Sequence, residues 1–94
     1  MIVVILNYVV PVESIDAHRP AHLAWLHEGV AAGMLLCAGR QVPLTGGMFL
    51  CKGERADVEA WAATDPFAVH GLAEYRFIEV APSVVAPGLD LLKG

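Results

Sequence analysis

The sequence has little charge, and it has no concentration of positive charge. Only 17% of its 94 residues are charged, against roughly 25% in typical soluble domains. The net charge is −4, and the six Lys and Arg residues are dispersed along the chain. Binding to nucleic acid depends on clustered cations that neutralise phosphates. The sequence therefore predicts no nucleic-acid partner.

Long apolar runs and a cysteine framework are also missing. No run approaches the roughly 20 residues that a membrane span needs. The apolar start "MIVVILNYVVPV" has no positive region before it and no convincing cleavage site after it. Cys37 and Cys51 are too few for a disulfide framework and lack C-x-x-C spacing. We expect a cytoplasmic protein without membrane contact, in which both thiols are free and buried.

Apolar residues, in contrast, are abundant. They make up 56% of a chain that is long enough for only one core, and the mean hydropathy is +0.57. No internal repeat or linker divides the sequence, so we predict a single domain over residues 1–94. A single small core cannot cover this much apolar surface, which favours a homodimer.

Hydrophobic periodicity predicts six elements in the order strand, helix, strand, strand, helix, strand. In the first helix, Leu23, Leu26 and Val30 recur at helical spacing, Pro20 suits a first helical position and Gly33 suits the end. The apolar face of the second helix is Val58, Trp61 and Ala62. The predicted ranges are 1–10, 20–32, 34–42, 47–53, 54–64 and 73–81.

This order is typical of an α+β, ferredoxin-like βαββαβ fold. Its four-stranded antiparallel sheet has two helices on one face. Because the first strand is apolar on both faces, the other face also needs cover. A second copy there would produce a dimeric α/β barrel. Residues 82–94 are interrupted by Pro82, Pro87 and Gly88, which predicts an irregular C-terminal arm.

The hairpin between the second and third predicted strands contains the sequence "PLTGG". A turn there would place Cys37 and Cys51 nearly opposite each other. Gly46 and Gly47 are expected as turn residues, and Gly39 as a point of close backbone approach.

The first helix carries three of the four histidines, at positions 18, 22 and 27. His18 and His22 are four residues apart, as in zinc-binding helices. However, Pro20 lies between them and no third ligand is suitably spaced. We therefore predict no metal and place His18 and His27 on the exposed face.

His22 and Asp65 each have a structural and a functional interpretation. His22 lies near a helix N-terminus, which disfavours an imidazolium, whereas a nearby carboxylate would stabilise it. Together these effects would suit a general acid or base. The structural alternative is a histidine on the helix surface, or one in the core whose ring nitrogens are hydrogen-bonded. Asp65 precedes Pro66 and is suited to cap a short helical turn. The residues alone leave both interpretations open.

Three segments together resemble the YciI-like (YCII-related) family: "RPAHLAWLHEGVAAG", "LLCAGRQVPLTGGMFL" and "DPFAVHGLAEYRFIEVAP". The resemblance covers nearly the whole chain and implies the ferredoxin-like fold and a dimer. It also implies a pocket whose histidine and aspartate correspond to His22 and Asp65. The characterised activity associated with the family is cofactor-free elimination of chloride from a chlorinated hydroxyhydroquinone.

Four further residues are candidates for contact with a substrate. Where the family commonly has proline after the glycine of the second strand, this chain has Arg40 after Gly39. Arg40 is expected at the pocket mouth, and Arg19 is either an anion anchor near His22 or a surface residue. Phe67 and His70 follow Asp65 in the motif and could line the pocket. The alternative for Phe67 is a place in the core, and the alternative for His70 is to cap a turn.

The resulting hypothesis is a cofactor-free enzyme that eliminates from or isomerises a small aromatic or enol-type molecule. His22 would move a proton and Asp65 would orient it. A non-catalytic module that binds a small metabolite in the same pocket is the alternative. An oligomerisation scaffold is a third possibility, but it leaves the pocket unexplained.

Overall fold

A computed structural model describes residues 1–93, so Gly94, the last residue of the predicted arm, lies outside the described residues. All six predicted elements are present, and each of their boundaries lies within two residues of the predicted one. The structure has two more short helices, one before the first long helix and one at the turn that Asp65 was predicted to cap. The elements are β1 (Ile2–Tyr8), α1 (Val12–Asp16), α2 (Arg19–Ala31), β2 (Leu35–Arg40), β3 (Gly46–Cys51), α3 (Arg55–Ala62), α4 (Pro66–Val69) and β4 (Ala73–Glu79).

The four strands form one antiparallel sheet in the order β2-β3-β1-β4. The predicted α+β, ferredoxin-like arrangement is therefore confirmed. In the centre of the sheet, Val4 lies between Phe49 of β3 and Phe77 of β4. This register places Tyr75, Phe77 and Glu79 on one face of β4, as their alternation predicts.

One face of the sheet carries the helices and the core. Ile2, Val4 and Leu6 of β1 are at most 1% exposed and pack with residues of the helices. The intervening residues of β1 lie on the opposite, helix-free face. The centre of that face is apolar and half-buried, and exposed polar residues such as Glu74 and Arg76 lie beside it. The apolar residues are Val3, Ile5, Met48, Leu50 and Ile78. The homodimer predicted to cover it stays a prediction.

Helix α2 does not bury the apolar stripe predicted from Leu23, Leu26 and Val30. Its buried residues are His22, Trp25 and Gly29, whereas Leu23 and Val30 are 48% and 53% exposed. The packed side is thus shifted by one position along the helix. Trp61 of α3 explains this: its ring stacks on Trp25 at 3.9 Å, and a Cβ at Gly29 would lie 2.4 Å from it. Helix α2 ends before Gly33, whose φ of 79° suits glycine.

Gly46 and Gly47 belong to β3, so their assignment to the turn is wrong. The close approach expected at Gly39 occurs at these two residues instead. A Cβ at Gly46 would lie 1.8 Å from the Leu6 carbonyl oxygen, and one at Gly47 would lie 2.9 Å from that of Gly39. Nothing lies within 4 Å of a Cβ built on Gly39. Strand pairing thus extends into the predicted turn.

Both cysteines are free, as predicted, but only Cys51 is buried. A β-bulge in β2 pairs Cys37 with Leu50 and leaves Leu35 opposite Cys51, so the cysteines are not direct partners. Burial, with a smaller contribution from Cys37, raises the pKa of the Cys51 thiol to about 11.

Residues 82–93 of the C-terminal arm contain no strand or α-helix, and a 3₁₀ helix spans Asp90–Lys93. Leu91 and Leu92 line a small cleft together with Met1 and Leu36. Among the described residues, no helix has the length and hydropathy that crossing a bilayer requires.

Candidate active site

Asp65 is fixed by the start of α4. Its side chain is 0% exposed, and Oδ1 accepts a hydrogen bond from the Phe67 backbone N–H at 3.0 Å. Pro66, which has no N–H, occupies the first helical position. The capping role predicted for Asp65 is therefore present. The cap holds the carboxylate inside the molecule, where its oxygens need hydrogen-bond donors from the protein.

Two side chains from other elements also donate to Asp65. His22 Nδ1 of α2 lies 2.6 Å from Oδ1, and the Tyr75 hydroxyl of β4 lies 2.6 Å from Oδ2. Together with the Phe67 N–H, the carboxylate has three donors from three elements. Such short, charge-assisted bonds hold the side chains in one geometry.

The imidazole of His22 lies between this carboxylate and a cavity. The residue is 8% exposed, and its ring stacks on Phe67 with centroids 3.9 Å apart and planes 7° apart. Because a carboxylate only accepts, Nδ1 carries the proton that His22 shares with Asp65. In the neutral ring Nε2 then has the lone pair. No group of residues 1–93 hydrogen-bonds Nε2, so it is available to a ligand.

Tyr75 is the functional candidate that sequence reasoning missed. Burial raises the pKa of its phenol far above the ordinary value, and the hydrogen bond to Asp65 adds to this effect. Tyr75 is therefore a proton donor to Asp65 at any physiological pH. The alternation of β4 predicts that Tyr75 shares one face of the strand with Phe77, but no sequence pattern indicates that its hydroxyl reaches residue 65.

The cavity beside His22 measures about 250 Å³. Its walls are mainly apolar, and two arginines complete the lining. An apolar cavity of ~150 Å³ is large enough for benzene, so this one suits a small substituted ring or a molecule of similar size. The principal lining residues are Leu6, Tyr8, Arg19, His22, Leu23, Leu26, Arg40, Phe49 and Phe67.

The six predicted site residues do not all meet at this cavity. Arg19, His22, Arg40 and Phe67 line it, and Asp65 contacts His22 from behind. His70 is not among the lining residues. Its ring packs against His18, with centroids 4.1 Å apart.

The remaining histidines do not combine into a larger site. His27 is exposed, as predicted, and His18 is half-buried. Within residues 1–93, no three His, Cys, Asp or Glu side chains are grouped as ligands for one metal ion.

The fold and the site define a ferredoxin-like α+β protein with a buried His–Asp pair beside a small cavity. Among known protein families, the YCII-related domain matches residues 1–81. The chain therefore belongs to the YCII-related family. The match ends one residue before the C-terminal arm predicted from Pro82.

A solved structure with the same fold is the 5-chloro-2-hydroxyhydroquinone dehydrochlorinase TftG from Burkholderia phenoliruptrix AC1100, in complex with 2,5-dihydroxybenzoquinone. The two chains are 19% identical, with a TM-score of 0.70 over 85% of this chain and 93% of that one. At this identity the likeness shows the fold. No curated protein sequence matches the chain significantly.

Proposed function

We propose that this protein is a cofactor-independent enzyme that uses His22 and Asp65 for proton transfer on a small aromatic or enol-type molecule. The observation that carries the proposal is the 2.6 Å contact between His22 Nδ1 and the buried Asp65 carboxylate. It leaves Nε2 free beside the cavity. Membership in the YCII-related family and the fold shared with a dehydrochlorinase support the same reaction class.

In the proposed reaction, His22 Nε2 takes a proton from a C–H or O–H group of the substrate. The imidazolium that forms is stabilised by Asp65 through Nδ1–H, as in other oriented His–carboxylate pairs. Return of the proton to another substrate atom completes an isomerisation. Alternatively, the electron pair left on the substrate expels a leaving group with its bonding pair. His22 then gives its proton to that group or to water, which completes an elimination. Neither route requires a cofactor, and chelation should leave turnover intact.

The test is turnover of a panel of halogenated and hydroxylated aromatics by the wild type and by His22→Asn and Asp65→Asn. Each substitution should reduce turnover by about 10²–10⁴-fold, because the proton acceptor or its orienting partner is lost. Combining them should cost less than the product of the single effects, because the two residues act as one unit. Undiminished turnover in the double variant would contradict the proposal.

His27→Asn is the matched control, since it removes an exposed imidazole from the same helix. It should leave turnover unchanged, and His18→Asn should do little. Ligands that raise the thermal stability of the protein without being converted would favour the alternative, a binding module with the same cavity.

A further inference from the structure

The two charged side chains that line the cavity are both positive, and the carboxylates of Asp16 and Asp65 nearby are paired with Arg19 and His22. Of the six basic residues in the sequence, Arg19 and Arg40 line the cavity. None of the ten acidic residues lines it, although all ten lie in the described part of the chain. In a chain with a net charge of −4, this distribution favours an anionic ligand.

The two arginines differ in how far their charge is already balanced. Both Nε and Nη2 of Arg19 donate to Asp16 Oδ1, at 3.2 and 2.9 Å. This ion pair fixes the guanidinium at the start of α2 and offsets its charge. Within residues 1–93, Arg40 forms no ion pair. The uncompensated positive charge of the cavity is therefore that of Arg40.

The backbone of β2 directs Arg40 to the helix side of the sheet. Its Cα lies opposite that of Gly47, and both residues line the cavity. Because Gly47 has no side chain, no bulky neighbour separates the arginine from the cavity at this point. Arg40 itself is exposed, so it lies at the mouth, whereas His22 lies deeper.

From this arrangement we infer that the site accepts a carboxylate-bearing, single-ring or enol-type monoanion, whose carboxylate Arg40 binds at the mouth. A guanidinium matches a carboxylate through two parallel hydrogen bonds, and Arg19 has spare N–H donors beyond the two that Asp16 uses. The apolar part of the ligand packs against Phe49 and Phe67, beside His22. The inference rests on the proposed function for the role of His22, and it adds the class of substrate.

The test compares binding of benzoate with binding of its uncharged isostere benzamide. Affinities are measured by NMR titration of the isotope-labelled protein, with the backbone amides of Gly39 and Gly47 reporting on the cavity. Wild type should bind benzoate on the order of tenfold more tightly than benzamide. Added salt should weaken the binding of benzoate and leave that of benzamide unchanged.

Substitutions test whether Arg40 causes the preference for benzoate over benzamide. Arg40→Gln should bring the two affinities close to equality, whereas Arg40→Lys should keep part of the difference because only the charge remains. Arg55→Gln is the control, since it removes an exposed arginine that pairs with Glu59 away from the cavity. It should keep the full preference for benzoate.

Three results would overturn the inference: equal affinities in the wild type, a preference that persists in Arg40→Gln, or no binding of either compound at millimolar concentration. Neither compound has to be converted, so the result is separate from catalysis. A benzoate preference that depends on Arg40 would stand even if no substrate were turned over. Apart from these three binding results, turnover of neutral substrates alone would also overturn the inference, and it would leave the proposed function intact.

Discussion

At the scale of single residues, the hydroxyl of Tyr75 donates to the carboxylate oxygen of Asp65 that His22 does not use. Tyr75→Phe removes this donor from a fully buried carboxylate, which should lower stability by about 1–3 kcal/mol. Without this donor the carboxylate orients His22 less well, so kcat should fall. KM should stay near the wild-type value, because Tyr75 does not line the cavity.

A matched control is Thr64→Val, which removes a hydroxyl from the residue adjacent to Asp65. That hydroxyl accepts from Trp25 Nε1 at 2.9 Å and does not contact the carboxylate. The control should lose some stability and keep the kcat of the wild type. If Tyr75→Phe also kept that kcat, Tyr75 would be a packing residue and not a positioning residue.

At the scale of elements, the pairing of β3 with β1 depends on the missing side chain at Gly46. A Cβ there would lie 1.8 Å from the Leu6 carbonyl oxygen, and a backbone atom in a central strand cannot move aside cheaply. Gly46→Ala should therefore lower the free energy of unfolding by at least about 2 kcal/mol, or prevent folding. Thermal and urea denaturation measure the effect.

Gly39→Ala is the corresponding change on the neighbouring strand. Nothing lies within 4 Å of the added methyl group, so stability should change by less than about 1 kcal/mol in either direction. Equal stability of the two alanine variants would show that β3 can shift away from β1, contrary to the register described above.

At the scale of the whole molecule, the helix-free face is the expected dimer interface. Leu50 lies on this face next to Val3, and a charge there would be buried between two copies at a cost that neither copy can offset. We expect the wild type to be a dimer at micromolar concentration. Leu50→Lys should raise the dimer dissociation constant at least about tenfold. Light scattering and sedimentation provide the measurement.

Val30→Lys tests whether any exposed apolar residue would have this effect. Val30 is 53% exposed on α2, on the helix side of the sheet, and a cation near a helix C-terminus is tolerated. This variant should remain dimeric. A stable wild-type monomer at micromolar concentration would remove the argument for the barrel.

Strong local patterns predicted the elements well. The apolar run of β1, the alternation around Tyr75 and Phe77, and Gly33 after α2 each reflect a periodicity or a backbone preference that acts within a few residues. The apolar stripe predicted for α2 was misleading because two of its three residues, Leu23 and Leu26, line a cavity. Periodicity marks an apolar stripe, but it does not say whether protein or a ligand covers it.

Local sequence patterns predicted the order of strands and helices and the cap at Asp65, and family resemblance added His22 and Asp65 as candidates. The three-dimensional contacts were needed to show that Tyr75 joins them, that His70 packs on His18 and that the two cysteines are not opposite each other. These outcomes depend on residues far apart in the chain and on the register at one bulge. Local sequence fixes backbone preferences, whereas contacts between distant elements depend on how the whole sheet and its helices pack.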